Sequence, residues 1–204
     1  MPAETHIGGL PESFRELVLQ NRSYRRFAES ERVSVKLLEE LAELARCIPA
    51  SANRQPLKFA LVSDADKCAE IFPSLGWAGY LPEWKGPEAG ERPAAYIVIL
   101  GDDSISTDTQ TDLGIAAQTI MLGAAACGLG GCMMGAINRE KIHATLGLAD
   151  TLRVLLVLAL GRPVEKVQLE PLGADGNIKY WRDAEGGHHV PKRSLEELIA
   201  ARYA

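Results

Sequence analysis

The sequence predicts a single domain of the α+β class. Apolar residues recur at helical spacing in some stretches, while short, continuous apolar runs of strand length occupy 94–100 and 151–160. A chain of 204 residues with 47% apolar content is long enough to bury one substantial core.

After a polar leader, Ser13-Phe14-Arg15-Glu16 has the form of a capping box, so a first helix is expected from Glu12 to Gln20. An Arg-rich link follows. Ser34 then caps a second helix carrying Leu37, Leu38, Leu41, Leu44 and Ala45, which Pro49 terminates. Leu57 to Val62 reads as the first strand and Ala65 to Phe72 as a weak helix. The Gly-, Pro- and Trp-rich stretch from Pro73 to Pro93 is a long connection, of a kind that often covers a site. Its Trp77, Tyr80 and Trp84 suit either a planar ligand or an anchor on the core.

Ala94 to Leu100 has the pattern of a strand covered on both faces. Thr107-Asp108-Thr109-Gln110 offers a capping pair for a strongly apolar helix reaching Ala126. Leu113, Ala116, Ala117, Ile120, Met121, Ala124 and Ala125 leave it little polar face, so it needs burial in the core or against a partner chain. Gly128 to Gly135 reads as a helix C-cap and a turn into a strand. Asn138 caps a short helix to Gly147, and Thr151 to Leu160 is strand-like. Val164 to Pro191 lacks helical periodicity and is expected to be an unstructured extension wrapping a neighbour or a second subunit. It ends at Ser194-Leu195-Glu196-Glu197, a capping box for a terminal helix.

Composition excludes several functions. With 22 basic against 27 acidic residues and a net charge of -5, the chain has no overall footprint for nucleic acid or an anionic membrane. No stretch approaches the ~20 apolar residues of a membrane span, and Met1 to His6 lacks the pattern of a signal peptide, so the cytoplasm is expected. Cys47, Cys68, Cys127 and Cys132 show no metal spacing. Three of the four sit among Ala, Leu or Ile and are expected to be buried thiols. His188-His189 is read as a polar turn without metal partners, and no metal site is predicted. Gly128, Gly130 and Gly135 miss the dinucleotide spacing, and no activated Ser or Cys nucleophile is evident. A chain with no self-sufficient catalytic group suits chemistry carried by a cofactor.

Two segments offer a place for one. Arg22-Ser23-Tyr24-Arg25-Arg26-Phe27 puts three guanidinium groups and a hydroxyl on a short link, a good grip for a phosphate and an anionic ring edge. Pro49-Ala50-Ser51-Ala52-Asn53-Arg54-Gln55-Pro56 is a small-residue loop whose amides can approach a ligand closely. Alone, the first reads equally as a solvated helix end and the second as an ordinary loop.

Together they resemble the N-terminal signature of the FMN-dependent nitroreductase family. Asp112-Leu113-Gly114-Ile115-Ala116-Ala117-Gln118, the Gly-Leu-Gly turn and Pro191-Lys192-Arg193-Ser194 extend the similarity in order toward the terminal helix. The resemblance implies a mostly antiparallel central sheet covered by helices, in an intertwined homodimer with two FMN sites. It makes 1–204 one domain, in which 164–204 is an extension wrapping the partner. It implies that Arg22, Ser23 and Arg25 hold the phosphate, the ribityl chain and the N1/O2 edge, and that Lys192 and Arg193 close on the phosphate. Pro49, Ala50, Ser51, Asn53 and Gln55 would contact the same flavin from the other subunit, and Met134 or Gly135 would present an amide to N5. The chain departs from better-known members at Asn21, where they often carry Arg, and at Met134, where they often carry Glu.

The implied activity is hydride transfer from NADH or NADPH through flavin N5 to a nitroaromatic, quinone or similar small acceptor, in a ping-pong cycle without a catalytic side chain. Negative charge left at N1 and O2 gives Arg25 a role in stabilising reduced flavin. A flavin-binding protein without catalysis, or a specialised relative such as a reductive dehalogenase, remains open on the sequence alone.

Overall fold

The computed structural model describes residues 10–203, so the expectation drawn from Met1 to His6 lies outside the described residues. In chain order the elements are α1 (Glu12–Gln20), α2 (Val35–Arg46), β1 (Leu57–Val62), α3 (Ala65–Ile71), β2 (Ala95–Asp102), α4 (Gln110–Ala126) and β3 (Gly130–Met134). Then come α5 (Arg139–Leu146), β4 (Leu152–Gly161), β5 (Val167–Pro171), β6 (Trp181–Arg182), β7 (His188–Lys192) and α6 (Leu195–Leu198).

Alternation along β2 organises the packing. Successive strand residues face opposite ways, so Ala95, Ile97 and Ile99 join one core with Leu38, Leu41 and Ala45 of α2 and Ala116, Ile120 and Ala124 of α4. Tyr96, Val98 and Leu100 join a second core with Cys68 and Ile71 of α3 and Ile142 of α5. The sheet is therefore covered on both faces, as its continuous apolar runs require. Strand order is β1-β2-β4-β3, all antiparallel, which leaves β1 and β3 at opposite edges. A bulge between Ile99 and Leu100 of β2 opposite β4 reverses parity, so Leu156 serves the first core but Val154 the second.

Several expectations change. The Ser13 capping box does not form. Helix α1 spans the expected Glu12–Gln20 but opens behind Pro11, whose carbonyl accepts from the Phe14 and Arg15 amides at 3.1 and 3.2 Å. Thr109 precedes α4 without a side-chain cap bond. That helix is apolar, yet Thr111, Gly114, Ile115 and Gln118 are exposed in the single chain, so burial is one-sided. On its packed side, Gly123 allows close approach of α2, since a Cβ there would meet Leu44 and Leu41 at 2.7 and 2.9 Å. Cys68 and Cys132 are buried, but Cys47 and Cys127 are exposed because each follows the last turn of a helix.

The segment after Val164 is not unstructured. It folds into a sheet of order β5-β7-β6, with β5 parallel and β6 antiparallel to β7. His188 and His189 lie on β7 rather than in a turn. Helix α6 does open with the Ser194/Glu197 capping box, though it is only four residues long. No helix among the described residues is long and apolar enough to cross a membrane.

Candidate functional site

The Arg-rich link is pinned to the β3 edge. Ser23 bridges Gly131, and the Tyr24 amide donates to the Gly131 carbonyl at 2.9 Å. A Cβ on Gly130 would strike the Tyr24 ring and Pro163, so that glycine is what lets the link lie against the strand. Phe27, fully buried, anchors the far end beside Pro163 and Gly161.

The three arginines of the link have different surroundings. Arg26 is neutralised by a two-pronged pair with Glu91 at 2.7 and 2.5 Å, which raises the basicity of Arg26 and lowers the pKa of Glu91. Arg22 donates to the Val18 carbonyl at 2.7 Å, and its Nε is buried without a partner. Arg25 donates toward the Ser23 carbonyl at 3.3 Å and His188 Nε2 at 3.1 Å. Among the described residues no carboxylate forms an ion pair with Arg22 or Arg25. Two guanidinium groups without a counter-charge, one with an orphaned buried N–H, make a site that an anion would satisfy.

Behind the link stands the small sheet. The side chain of Glu165, with no exposed surface, accepts from the backbone amides of Arg25 and Arg26, the latter at 3.2 Å, and from Arg182 Nη2 at 3.0 Å. The Arg182 guanidinium lies 4.1 Å from the centre of the Trp84 ring, and Trp84 packs edge-on against Trp77. Both tryptophans are half-buried and so anchor their connection, whereas Tyr80 is exposed and rests on Tyr180 at 5.0 Å.

The loop from Pro49 to Pro56 lies elsewhere, leading into β1. Ala52, Asn53 and Gln55 hold φ of 51, 52 and 55°, left-handed conformations that cost non-glycine residues and tend to mark functional loops. Asp112, almost fully buried on α4, accepts the Ser51 amide at 2.9 Å through Oδ1 and leaves Oδ2 without a partner. A mainly apolar groove of about 490 Å³ opens beside the loop, lined by Ala50, Gln55, Leu57, Phe59, Ile48 and Asp112 among others. Three inter-strand steps of about 4.8 Å separate the two edges, roughly 14 Å before side chains are counted. One chain therefore brings Arg22, Ser23 and Arg25 together but not with Ala50, Ser51, Asn53 or Gln55.

Met134 ends β3, with Gly135 exposed just beyond, on the edge strand that carries the link. Lys192 and Arg193 are exposed at the far end of β7, and Arg193 pairs with Glu197 at 3.3 Å. Lys192 is four residues from His188, about 13 Å along a strand. Glu165, Tyr180, Arg182 and His188 meet the link only through the fold, with no local sequence pattern to mark them, and Asp112 is marked only as part of a longer motif.

A sequence model of the Nitroreductase family matches residues 18–162. The chain is 24% identical over 173 residues to the NADPH-flavin oxidoreductase of Vibrio harveyi, covering 76% of this chain and 68% of that protein. A nitroreductase family protein from Clostridium novyi NT has a crystal structure that aligns with a TM-score of 0.61 at 26% identity, over 74% of this chain and 84% of that one. The FMN-dependent nitroreductase of Clostridium difficile R20291 aligns with a TM-score of 0.58 at 21% identity, over 74% and 87%. The match ends at residue 162, so it does not extend to the small sheet, Lys192 or Arg193. With most of its length, link and loop included, inside that match, the chain belongs to the nitroreductase family.

Proposed function

We propose that the protein is an FMN-dependent NAD(P)H oxidoreductase that works as a homodimer with two flavin sites. The observation that carries this reading is the placement of the link and the loop at opposite edges of one sheet, in a member of this family. Each segment needs its complement, and a second copy supplies it. Helix α1 adds support: it has no buried residue, yet Phe14 and Leu19 are apolar and about half exposed. The relatives' names, an NADPH-flavin oxidoreductase and an FMN-dependent nitroreductase, fit the same chemistry.

Bound FMN would supply hydride transfer at N5, first accepting from NADH or NADPH and then donating to a quinone, nitroaromatic or similar acceptor in a ping-pong cycle. The chain's residues bind and orient. Arg22 and Ser23 grip the phosphate and ribityl chain, a role that the buried, unpartnered Arg22 Nε supports. Arg25 faces the N1/O2 edge and stabilises charge there. Met134 or Gly135 offers an amide at the ring, while the partner's copy of the Pro49–Gln55 loop closes the other side with Ala50, Ser51 and Asn53. Lys192 and Arg193 complete the phosphate grip, from the 164–204 extension of the single 1–204 domain, which also reaches the partner. The cytoplasm, where NADH and NADPH are held, is the proposed compartment.

Purified protein should be yellow, hold about one FMN per chain, and oxidise NADH or NADPH when given a quinone or nitroarene. Parallel double-reciprocal lines would fit the ping-pong cycle. Tight FMN retention without nicotinamide oxidation would leave a flavin-binding protein instead, and failure to bind FMN would end both readings.

A further inference from the structure

The segment from Glu165 to His188 lies beyond the family match, yet it meets the link directly through Glu165 and His188. Glu165 fixes the link's backbone through the Arg25 and Arg26 amides. The side chain of Arg25 is fixed separately. Its guanidinium lies over the Tyr180 ring, with Cζ 4.8 Å from the ring centre, and Nη1 reaches His188 Nε2 at 3.1 Å. Tyr180 and His188 in turn pack on each other at 5.0 Å.

His188 is fully buried. A guanidinium only donates, so the His188 nitrogen facing it must be the lone-pair nitrogen of a neutral ring whose proton sits on Nδ1. Burial and the positive charges of Arg25 and Arg182 keep the ring neutral, with its pKa pushed down to about 4. Tyr180 below and His188 at the end leave Arg25 few orientations. A guanidinium held in one orientation at the flavin edge acts on charge there more strongly than one free to swing into water, where its field is screened.

We propose that His188 is a positioning residue for the flavin, holding Arg25 aimed at the N1/O2 edge, so that the C-terminal sheet tunes the reduction potential of the bound cofactor. The proposal rests on the reading of Arg25 given above. It predicts an effect on potential apart from one on cofactor retention, because the phosphate grip at Arg22 and Ser23 is untouched.

The test uses the full chain loaded with FMN, in wild type, Arg25→Ala, His188→Leu and His188→Gln. Potential is measured by spectroelectrochemical titration and the FMN dissociation constant by fluorescence quenching. His188→Leu should shift the potential negative, in the direction of Arg25→Ala, with an FMN dissociation constant within about threefold of wild type. Gln, whose side-chain oxygen takes the place of Nε2, should restore the potential. A wild-type potential in His188→Leu, alongside a shifted one in Arg25→Ala, overturns the positioning role alone. Unshifted potentials in both overturn the reading of Arg25 and the proposal with it. Should leucine at 188 cost the fold, Tyr180→Leu removes the half-buried platform under the same guanidinium and carries the same expectation.

Discussion

Adjacent histidines on β7 carry opposite proton affinities. Burial is the main cause lowering His188 to about 4, helped by the charges of Arg25, Arg182 and His189, whereas hydrogen bonds to Asp183 and Glu170 raise His189. The unfolded chain protonates His188 near 6.5, before the folded one does. Its contribution is therefore complete above that pH and lost as pH falls toward 4, on the order of 3 kcal/mol at most. His189 works the other way: its stabilisation is present at low pH and lost as pH rises through its raised value. Urea midpoints measured from pH 7 to 4 should thus fall less steeply in His188→Gln than in wild type. Equal slopes would assign the acid sensitivity to carboxylates. Arg22→Ala should weaken FMN binding by about one to two orders of magnitude, the worth of a charged hydrogen bond, in a fluorescence titration. The grouping of Arg22, Ser23 and Arg25 on one short link was legible in the sequence from residue type and spacing. Glu165 and His188 were not, since their partner Arg25 is 140 and 163 residues away and no local pattern ties them to it.

The connection from Pro73 to Pro93 is held by packed rings and cations. Arg92 lies over Phe72 at 4.5 Å, Phe72 packs on Trp77 at 5.7 Å, and Trp77 leads through Trp84 to Arg182. Gly86, at φ +120°, fits only without a side chain, because a Cβ would come within 2.6 Å of the Trp77 ring. Gly86→Ala and Trp84→Ala should each lower the melting temperature, with a stability loss of about 2–4 kcal/mol for Trp84→Ala given its half-burial. Neither should change the ratio of kcat/KM for a small quinone and a bulky nitroarene. Tyr80→Ala should do the reverse, shifting that ratio with little loss of stability, because the exposed Tyr80 ring rests on the Tyr180 that carries Arg25. A changed ratio in Trp84→Ala would make the tryptophans part of the acceptor site. The strands of the large sheet were readable because apolar runs of strand length need cover on both faces. The small sheet was not: β6 has two residues, and β5 is mostly exposed, without clean alternation.

At the scale of the whole molecule, each chain places the link and the loop at opposite edges of one sheet, and in the proposed dimer each is half of a flavin site. Dilution should therefore release FMN as dimers dissociate, and sedimentation with absorbance at the flavin wavelength should show no yellow monomer. A monomer that keeps its FMN would rule out the shared site. A mostly antiparallel sheet was expected from the family resemblance, while its order β1-β2-β4-β3 and the exposed face of α4 at Gly114, Ile115 and Gln118 emerged only from the fold. The opposite-edge arrangement also makes the protein a candidate for genetic complementation. A chain broken at Arg22 and Arg25 and another broken at Ser51 and Asn53 should each be inactive alone. Refolded together, half the dimers would be mixed. Each mixed dimer would pair the sound link of one chain with the sound loop of the other, so about a quarter of the sites should regain FMN.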